Sequence, residues 1–600
     1  MLEPSRDRLD YGAMLRPPEP GFSLVHAVAS TYSLELSALL AALLPLGVDG
    51  DAKSHCRENP LFMLYIFKKL FRKIFVFCDA AAVSAQDVQR NKLLAFLDRI
   101  VFPVRHRTAF HPKFWLLKFE REGEIRYRLA VLSKNITFDR SWDVVMFFDG
   151  VVKDSRSNGA PLADMLDFLK QSQWGKGKRL QELSSMAAEV RNVEFSNDEI
   201  QPGEFLLLPF GVKSEALAED AVLLNPAAKF SRLMVMSPFL TRTAVSELFA
   251  RGRDGAEKLL FSRKQAFADC FQGEEPGIQS YCVKDEVVFG EESAALESQP
   301  EKPQEEDIHA KIYLFQQYQS STPYLYLGSA NLTRNGMNEA NVELLVRVKL
   351  RGHNIYETMR KDLLPEGENG VFELCGTVPE EKNTEEEEAM EDLKKVFRKF
   401  VLEGKRITAS VEETSAGYVV SLHCPETLCC EYKIEIAPLN GKWQNFSSTV
   451  EFAAQPAETL SDFYLIRFSN DLAKLERILV IDTVSSAGLE EVRQSALESV
   501  FLKRSADFLE YFSYILAEDA YAQALQMDGS VEKKTDKKNT GFGENYQSAL
   551  YEKLLYWSSA DPGRLQEIES VVRYSPELPK KTRALLKLCE TFYHAAGELK

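Results

Sequence analysis

Two distant stretches of the chain follow one plan. "LVHAVASTYSLELSALLAALLPLG", from Leu24, has the form of a short strand, a polar break and an amphipathic helix; "RLMVMSPFLTRTAVSELFARG", from Arg232, has the same form. Each is followed by a second apolar strand, "KIFVFCDA" at Lys73 and "KLLFSRKQ" at Lys258. Internal repetition of this kind predicts one supersecondary unit used twice. Strands alternating with helices predict sheets covered by helices, with functional groups at strand ends and in the loops beyond them. At 600 residues the chain exceeds what one core holds. The predicted units are residues 1–195 and 196–375, two related α/β halves, then 376–404, an acidic linker and connecting helix. Short alternating runs predict a small β-sandwich over 405–485, and helical periodicity a helical domain over 486–600.

The duplication extends to side chains that carry chemistry. Of eight histidines, only His111 and His309 are followed by x-Lys, which makes Lys113 and Lys311 their companions. The two Ser-x-Asn triplets, Ser133 with Asn135 and Ser329 with Asn331, each follow one of these lysines at a similar interval. A single histidine or lysine in an apolar run is ordinarily a satisfied core residue or one that snorkels to water. Two copies answered by the same second element point to a site. Side chains at i and i+2 leave the same face of a strand, so each histidine is expected to share a cleft with its lysine while Ala310 and Ile312 pack behind. Pro112 cannot donate to a ladder, so the first of these strands must begin there or lie unpaired.

Two such halves face to face would present two imidazoles, two ammonium groups and two amides. Ammonium and amide donors suit phosphodiester oxygens, on which charge grows in the transition state. Imidazole, which titrates near neutrality, serves as nucleophile or as proton donor. One of each is what a two-step displacement at phosphorus requires.

The segments "HPKFWLLKF…LAVLSKNITFDRSWDVV" and "HAKIYLF…YLYLGSANLT…NVEL" resemble the phospholipase D superfamily over about residues 20–350. A histidine-lysine-aspartate signature would place an acid five positions after each lysine, where this chain has Lys118 and Gln316. The resulting histidine, lysine and asparagine pattern is similar to tyrosyl-DNA phosphodiesterases and some nuclease members. The resemblance implies a covalent phosphohistidine mechanism without metal or cofactor. His111 would attack phosphorus, and His309 would protonate the leaving oxygen and then activate water. Lys113, Lys311, Asn135 and Asn331 would hold the non-bridging oxygens, while Asp143 and Glu343, supported by Ser133 and Ser329, would orient the imidazoles. It also implies nucleic acid as substrate, DNA ahead of RNA, and a helicase or other ATPase as partner in a prokaryotic defence or repair system. A lipid or small phosphodiester hydrolase, and a non-catalytic scaffold of the same fold, are the alternatives.

Arg263, Lys264 and Arg334 are expected at the cleft as substrate contacts. Between Arg105 and Arg128, seven Lys or Arg face three Glu with Phe110, Phe114, Trp115 and Phe119 interleaved, which fits a nucleic-acid groove or a core strand with a charged hairpin. The net charge of −16 and pI near 5.3 exclude a chain coated in nucleic acid. Much of that charge lies in "PEEKNTEEEEAMED", Pro379 to Asp392, with eight carboxylates against one lysine, read as a solvated linker. "HCPETLCC", His423 to Cys430, matches none of the usual zinc spacings and is expected to be core. No Gly-rich phosphate loop ending in Lys-Ser/Thr occurs, which excludes ATP use by that route. The start lacks the form of a secretory signal, and the longest apolar run is short of the ~20 residues a membrane span needs, so a cytoplasmic protein is expected.

Overall fold

The run "IFVFCD" is buried at every position and forms a strand with both faces covered, Ile74–Asp79. It belongs to the first of two large mixed sheets. The structure, a computed structural model, describes most of residues 14–483 and also residues 489, 492, 493 and 496. Residues 1–13, 48–59, 87–91, 174–176, 272–276, 285–306, 352–353, 366–369, 377–383, 404–406, 425–431, 484–488, 490–491, 494–495 and 497–600, and positions 140, 221, 339 and 440, are not described. The expected helical domain over 486–600 therefore lies almost wholly outside the described residues, as do Cys429 and Cys430.

The first sheet contains β1 (Ser23–Thr31), β2 (Ile74–Asp79), β3 (Val101–Val104), β4 (Phe114–Arg121), β5 (Glu124–Leu132), β6 (Val145–Val152) and β7 (Val193–Ser196), in the order β3-β2-β1-β4-β5-β6-β7. The second contains β8 (Phe205–Phe210), β9 (Phe230–Met236), β10 (Gly252–Phe261), β11 (Gln279–Val283), β12 (Ile312–Gln317), β13 (Pro323–Gly328), β14 (Glu343–Lys349) and β15 (Phe372–Leu374), in the order β15-β11-β10-β9-β12-β13-β14-β8. The order β3-β2-β1-β4-β5-β6 and the order β11-β10-β9-β12-β13-β14 carry the same pairing senses, two parallel contacts followed by three antiparallel ones.

Strand periodicity assigns the core. Phe75 and Phe77 of β2, with Phe114 and Leu116 of β4, enter a central cluster that also takes Met234 and Met236 of β9 and Leu314 of β12. Ile74, Val76, Trp115 and Leu117 turn the other way, toward the helices Leu36–Gly47 and Pro60–Phe71. Leu233, Val235, Tyr313 and Phe315 line the outer face of the second sheet with the helix Arg242–Phe249. The central cluster joins both sheets into one body, each buried large apolar side chain stabilising it by about 1.5–3 kcal/mol. Among the described residues no helix is long and apolar enough to cross a membrane.

Two local expectations change. Strands β4 and β12 begin at Phe114 and Ile312, so each His-x-Lys unit occupies the extended approach to its strand and not the strand itself. The acidic run, expected as a linker, is helical from Glu385: the connecting helix spans Glu385–Glu403. Thr384 and Glu387 cap one another, with Glu387 N donating to Thr384 Oγ1 at 3.2 Å and Thr384 N donating to Glu387 Oε2 at 2.9 Å. Four glutamates in the first turn meet the positive end of the helix dipole, so the charge run favours a helix start.

Beyond the connecting helix lie two antiparallel sheets of three and four strands, which include Gly417–His423, Thr449–Gln455, Lys433–Pro438, Phe463–Ser469 and Lys474–Val480. Leu393, Phe397, Phe400 and Val401 of the helix pack into the core those sheets share. Cys424 is buried there, in line with a core role.

Candidate active site between the two lobes

Each His-x-Lys unit crosses to the other lobe before its strand begins. Phe110 bridges Val342 in parallel, with His111 N donating to Val342 O at 2.8 Å and Val342 N to Ala109 O at 2.9 Å. Ile308 bridges Trp142 in the same sense, with His309 N donating to Trp142 O at 2.9 Å. A parallel bridge sets the next residue of one segment beside the next residue of the other. His111 therefore meets Glu343, and His309 meets Asp143.

The side chains complete that register. His111 Nδ1 lies 2.8 Å from Glu343 Oε2, and His309 Nδ1 lies 2.9 Å from Asp143 Oδ1. Carboxylate acceptors draw the ring proton to Nδ1 and leave Nε2 of a neutral ring with its lone pair free. Ser329 Oγ donates to Glu343 Oε2 at 2.5 Å while accepting from Leu344 N at 2.9 Å. Ser133 Oγ donates to Asp143 Oδ1 at 2.7 Å while accepting from Val144 N at 2.9 Å. Each serine thus locks the carboxylate of its own lobe, and that carboxylate orients the imidazole of the other. Gly328 makes this possible on β13, since a Cβ there would collide with Leu344 O, and its φ of +151° is one that side chains rarely adopt.

Lys113 and Lys311 are fully buried. Lys113 Nζ donates to His111 O at 3.0 Å and Lys311 Nζ to His309 O at 2.5 Å. The imidazoles keep 12% of their side-chain surface exposed, enough for a ligand to reach them from the open side. Burial pushes both imidazoles down to about 4, with the two ammonium groups lowering them further against the pull of their carboxylates. Burial brings Lys113 down to about 7, resisted by Glu343 and Asp143, and takes Lys311 well below its ordinary range with Lys113 adding to the effect. Burial works to raise Asp143, but the hydrogen bond and charge of His309, with Lys134 and Ser133, hold it down to about 2. Glu343 is likewise held below its ordinary value against burial, chiefly by His111. The burial of the two lysines outweighs the pull of Glu343 and Asp143, so a ligand that brings further negative charge would favour their protonated forms.

The remaining predicted residues are less uniform. Asn135 Oδ1 accepts from Ser33 N at 3.3 Å and from Thr31 Oγ1 at 3.4 Å, whereas Asn331 Oδ1 is buried without a protein partner. Arg263 Nε donates to Ile308 O at 2.8 Å, directly before His309, and its guanidinium sits 5.3 Å from the ring of exposed Phe239. Lys264 Nζ lies 3.3 Å from Glu373 on the edge strand β15. Arg334 caps onto Thr241 through its backbone and leaves its side chain exposed. In the Arg105–Arg128 segment the aromatic rings of Phe110, Phe114, Trp115 and Phe119 are buried, which corrects the stacking-groove reading to the core-strand alternative.

Three contributors had no sequence signal. Tyr32 packs its ring 5.0 Å from that of His111, Lys134 Nζ approaches Asp143 Oδ2 at 3.5 Å, and the backbone of Trp142 carries His309. Tyr32 and Lys134 stand next to predicted elements, but nothing in their local pattern marks them.

Residues 301–362 match the family described as the NgoFVII restriction endonuclease N-terminal PLD domain, a stretch that contains His309, Lys311, Ser329, Asn331 and Glu343. No curated protein sequence matches the chain. Among solved structures, polyphosphate kinase from Porphyromonas gingivalis is similar at 10% identity and TM-score 0.34, over 65% of this chain and 50% of that one. The chain thus spans half the length of that kinase. Phosphatidylserine synthase of Haemophilus influenzae Rd KW20 is similar at 11% identity and TM-score 0.30, over 65% of this chain and 89% of that one. Likenesses of that size do not speak to activity.

Proposed function

We propose, from a site in which phospholipase D-like lobes exchange histidine and carboxylate, that the chain is a phosphodiesterase cleaving nucleic acid through a phosphohistidine. The observation that carries this reading is the pair of imidazoles, each oriented through Nδ1 by the opposite lobe and each followed two residues on by a buried lysine. The match of the second half-site to a restriction endonuclease domain favours nucleic acid, DNA first, over lipid.

In this mechanism His111 Nε2 attacks phosphorus as the P–O bond to the leaving nucleoside breaks, and His309, protonated once the anionic substrate has entered, gives that oxygen its proton. Lys113 and Lys311 neutralise the non-bridging oxygens as charge builds. In the second step His309 Nε2 takes a proton from water, whose oxygen attacks phosphorus; the P–N bond breaks and His111 returns to its neutral form. One water is consumed: its proton returns His309 to the protonated form, in place of the one given to the leaving oxygen, and its oxygen stays on phosphorus. The β-rich region beyond the connecting helix would present substrate or dock a partner such as a helicase or other ATPase.

The test is incubation of the full chain with end-labelled single- and double-stranded DNA and RNA, followed by acid and base treatment of the protein. Cleavage with base-stable, acid-labile phosphate on His111, lost in His111→Ala, is the expected result. Hydrolysis of phospholipid analogues alone, or inertness toward all of these substrates, would overturn the reading.

A further inference from the structure

The two half-sites are braced differently from behind. In the second lobe the peptide preceding His309 is held by Arg263, which belongs to that lobe. In the first, the brace falls one peptide earlier and comes from Asp79, the last residue of β2, whose Oδ2 accepts from Phe110 N at 2.9 Å. Asp79 is buried, and its Oδ1 also accepts from Ala81 N at 2.9 Å. Its counter-charge comes from outside both lobes. Arg398, on the connecting helix, donates from Nη1 and Nη2 to the two carboxylate oxygens, each at 3.1 Å. The same guanidinium donates to Thr108 O and, at 3.4 Å, to the hydroxyl of Tyr32. Tyr32 packs against the His111 ring, and Lys113 Nζ lies 6.0 Å from its centroid.

Arg398 therefore touches the approach to His111 by three routes: through Asp79 to Phe110 N, at Thr108 O, and through Tyr32 to the imidazole. Around it, Leu393, Phe397, Phe400 and Val401 anchor the helix in the core of the β-rich region. Placing a guanidinium there from that helix ties the geometry of one half-site to a part of the chain that contains none of the catalytic motifs.

We infer that Arg398 is a positioning residue for His111, so that the first half-site, unlike the second, is complete only when the region beyond the lobes is docked. This rests on the phosphodiesterase reading for its kinetic consequence, though not for its structural one. The groups that face His111 are Glu343, Lys113, Lys311 and Tyr32; those that face Asp79 are Arg398, Tyr32, Cys78 and His106. Arg398 touches none of the reacting atoms and acts through Asp79 and Tyr32.

The experiment compares the full chain with Arg398→Gln, Arg398→Lys and, as a control on the same helix, Lys395→Gln, an exposed position. Carbethoxylation of His111 and His309 by diethylpyrocarbonate is followed by mass spectrometry from about pH 4 to about pH 8, the span in which imidazoles titrate, beside kcat and KM on a labelled oligonucleotide. In Arg398→Gln, His111 is expected to react faster and to titrate closer to an ordinary imidazole while His309 keeps its profile. A misplaced group costs up to about 100-fold, so kcat should fall by about 10- to 100-fold with KM nearly unchanged. Arg398→Lys should lie between, and Lys395→Gln should match the parent. Unchanged profiles for both histidines, or equal shifts of both with a lowered Tm, would reduce Arg398 to a structural ion pair. Should Arg398→Gln fail to fold, Asp79→Asn/Arg398→Gln removes both buried charges at once, and a parent-like His111 profile in it would overturn the inference. A parent chain that cleaves no phosphodiester would end the proposed function while leaving the carbethoxylation result to decide this point.

Discussion

The two half-sites share a skeleton and differ in what surrounds it. In both, a serine locks a carboxylate that crosses to the other lobe's histidine, and a lysine curls back to the carbonyl of the histidine before it. The first uses Pro112, a glutamate from across the interface and an arginine from the connecting helix; the second uses Ala310, an aspartate with Lys134 beside it and an arginine of its own. On the proposed reading the shared part serves phosphoryl transfer, and the unshared part could assign the two imidazoles different tasks. Because each histidine borrows its carboxylate, neither lobe holds a complete half-site alone.

The largest effect expected is loss of either imidazole. His111→Ala and His309→Ala should each lower kcat on a labelled oligonucleotide by roughly 10²- to 10⁴-fold, and unequal accumulation of phosphoprotein in His309→Ala would sharpen the division of labour. Next come the lysines: Lys113→Met or Lys311→Met removes a preorganised cation and should cost roughly 10²- to 10³-fold in kcat. If one lysine proves dispensable, the shared skeleton is not shared in function.

The crossed carboxylates give a smaller but more pointed test. Glu343→Gln should cost about 100-fold and shift the titration of His111 alone, while Asp143→Asn should shift that of His309 alone. Either substitution moving the histidine of its own lobe would break the comparison outright. In the pH profile, kcat/KM should fall below about 4, where His111 takes a proton and can no longer attack phosphorus, and should fall more steeply above about 7, where Lys113 loses its own.

Stability should show the smallest change and runs in one direction. The folded imidazoles sit near 4, below the free value of 6.5, so the unfolded chain binds their protons first. Their contribution is complete above about 6.5 and is lost as pH falls through about 4, so Tm of the ligand-free protein should drop over that interval. His111→Gln should flatten the drop; an unaltered slope would show that burial does not hold this ring neutral. Ser329→Ala and Ser133→Ala should each lower stability by about 1 kcal/mol, seen in urea titrations.

Much of the site was legible because its parts are local. His111 with Lys113, and His309 with Lys311, declare themselves by spacing, and their repetition lifts them above single buried histidines. The strand–helix units of the two lobes were legible for the same reason, since apolar periodicity is a property of neighbouring residues. The acidic run shows the limit of reading charge alone. Its glutamates suggested a solvated linker, yet the Thr384–Glu387 cap and the helix dipole make them the start of a helix. The basic, aromatic stretch from Arg105 shows the same limit: Phe114 and Trp115 leave opposite faces of β4 and both enter core, a burial that composition cannot show.

What the sequence determined by itself was the inventory: paired imidazoles, ammonium groups, amides and acids, each in a repeated local frame. What only the tertiary structure decided was the exchange between lobes. Glu343 lies 232 residues from His111, and Asp143 lies 166 residues from His309. Each acid serves the remote histidine because parallel bridges at Phe110–Val342 and Ile308–Trp142 set the register. Arg398, 319 residues from Asp79, belongs to the same category. Local periodicity encodes which face a side chain takes, but the partner it meets there depends on how two packed sheets align, and that alignment is settled by the whole core at once.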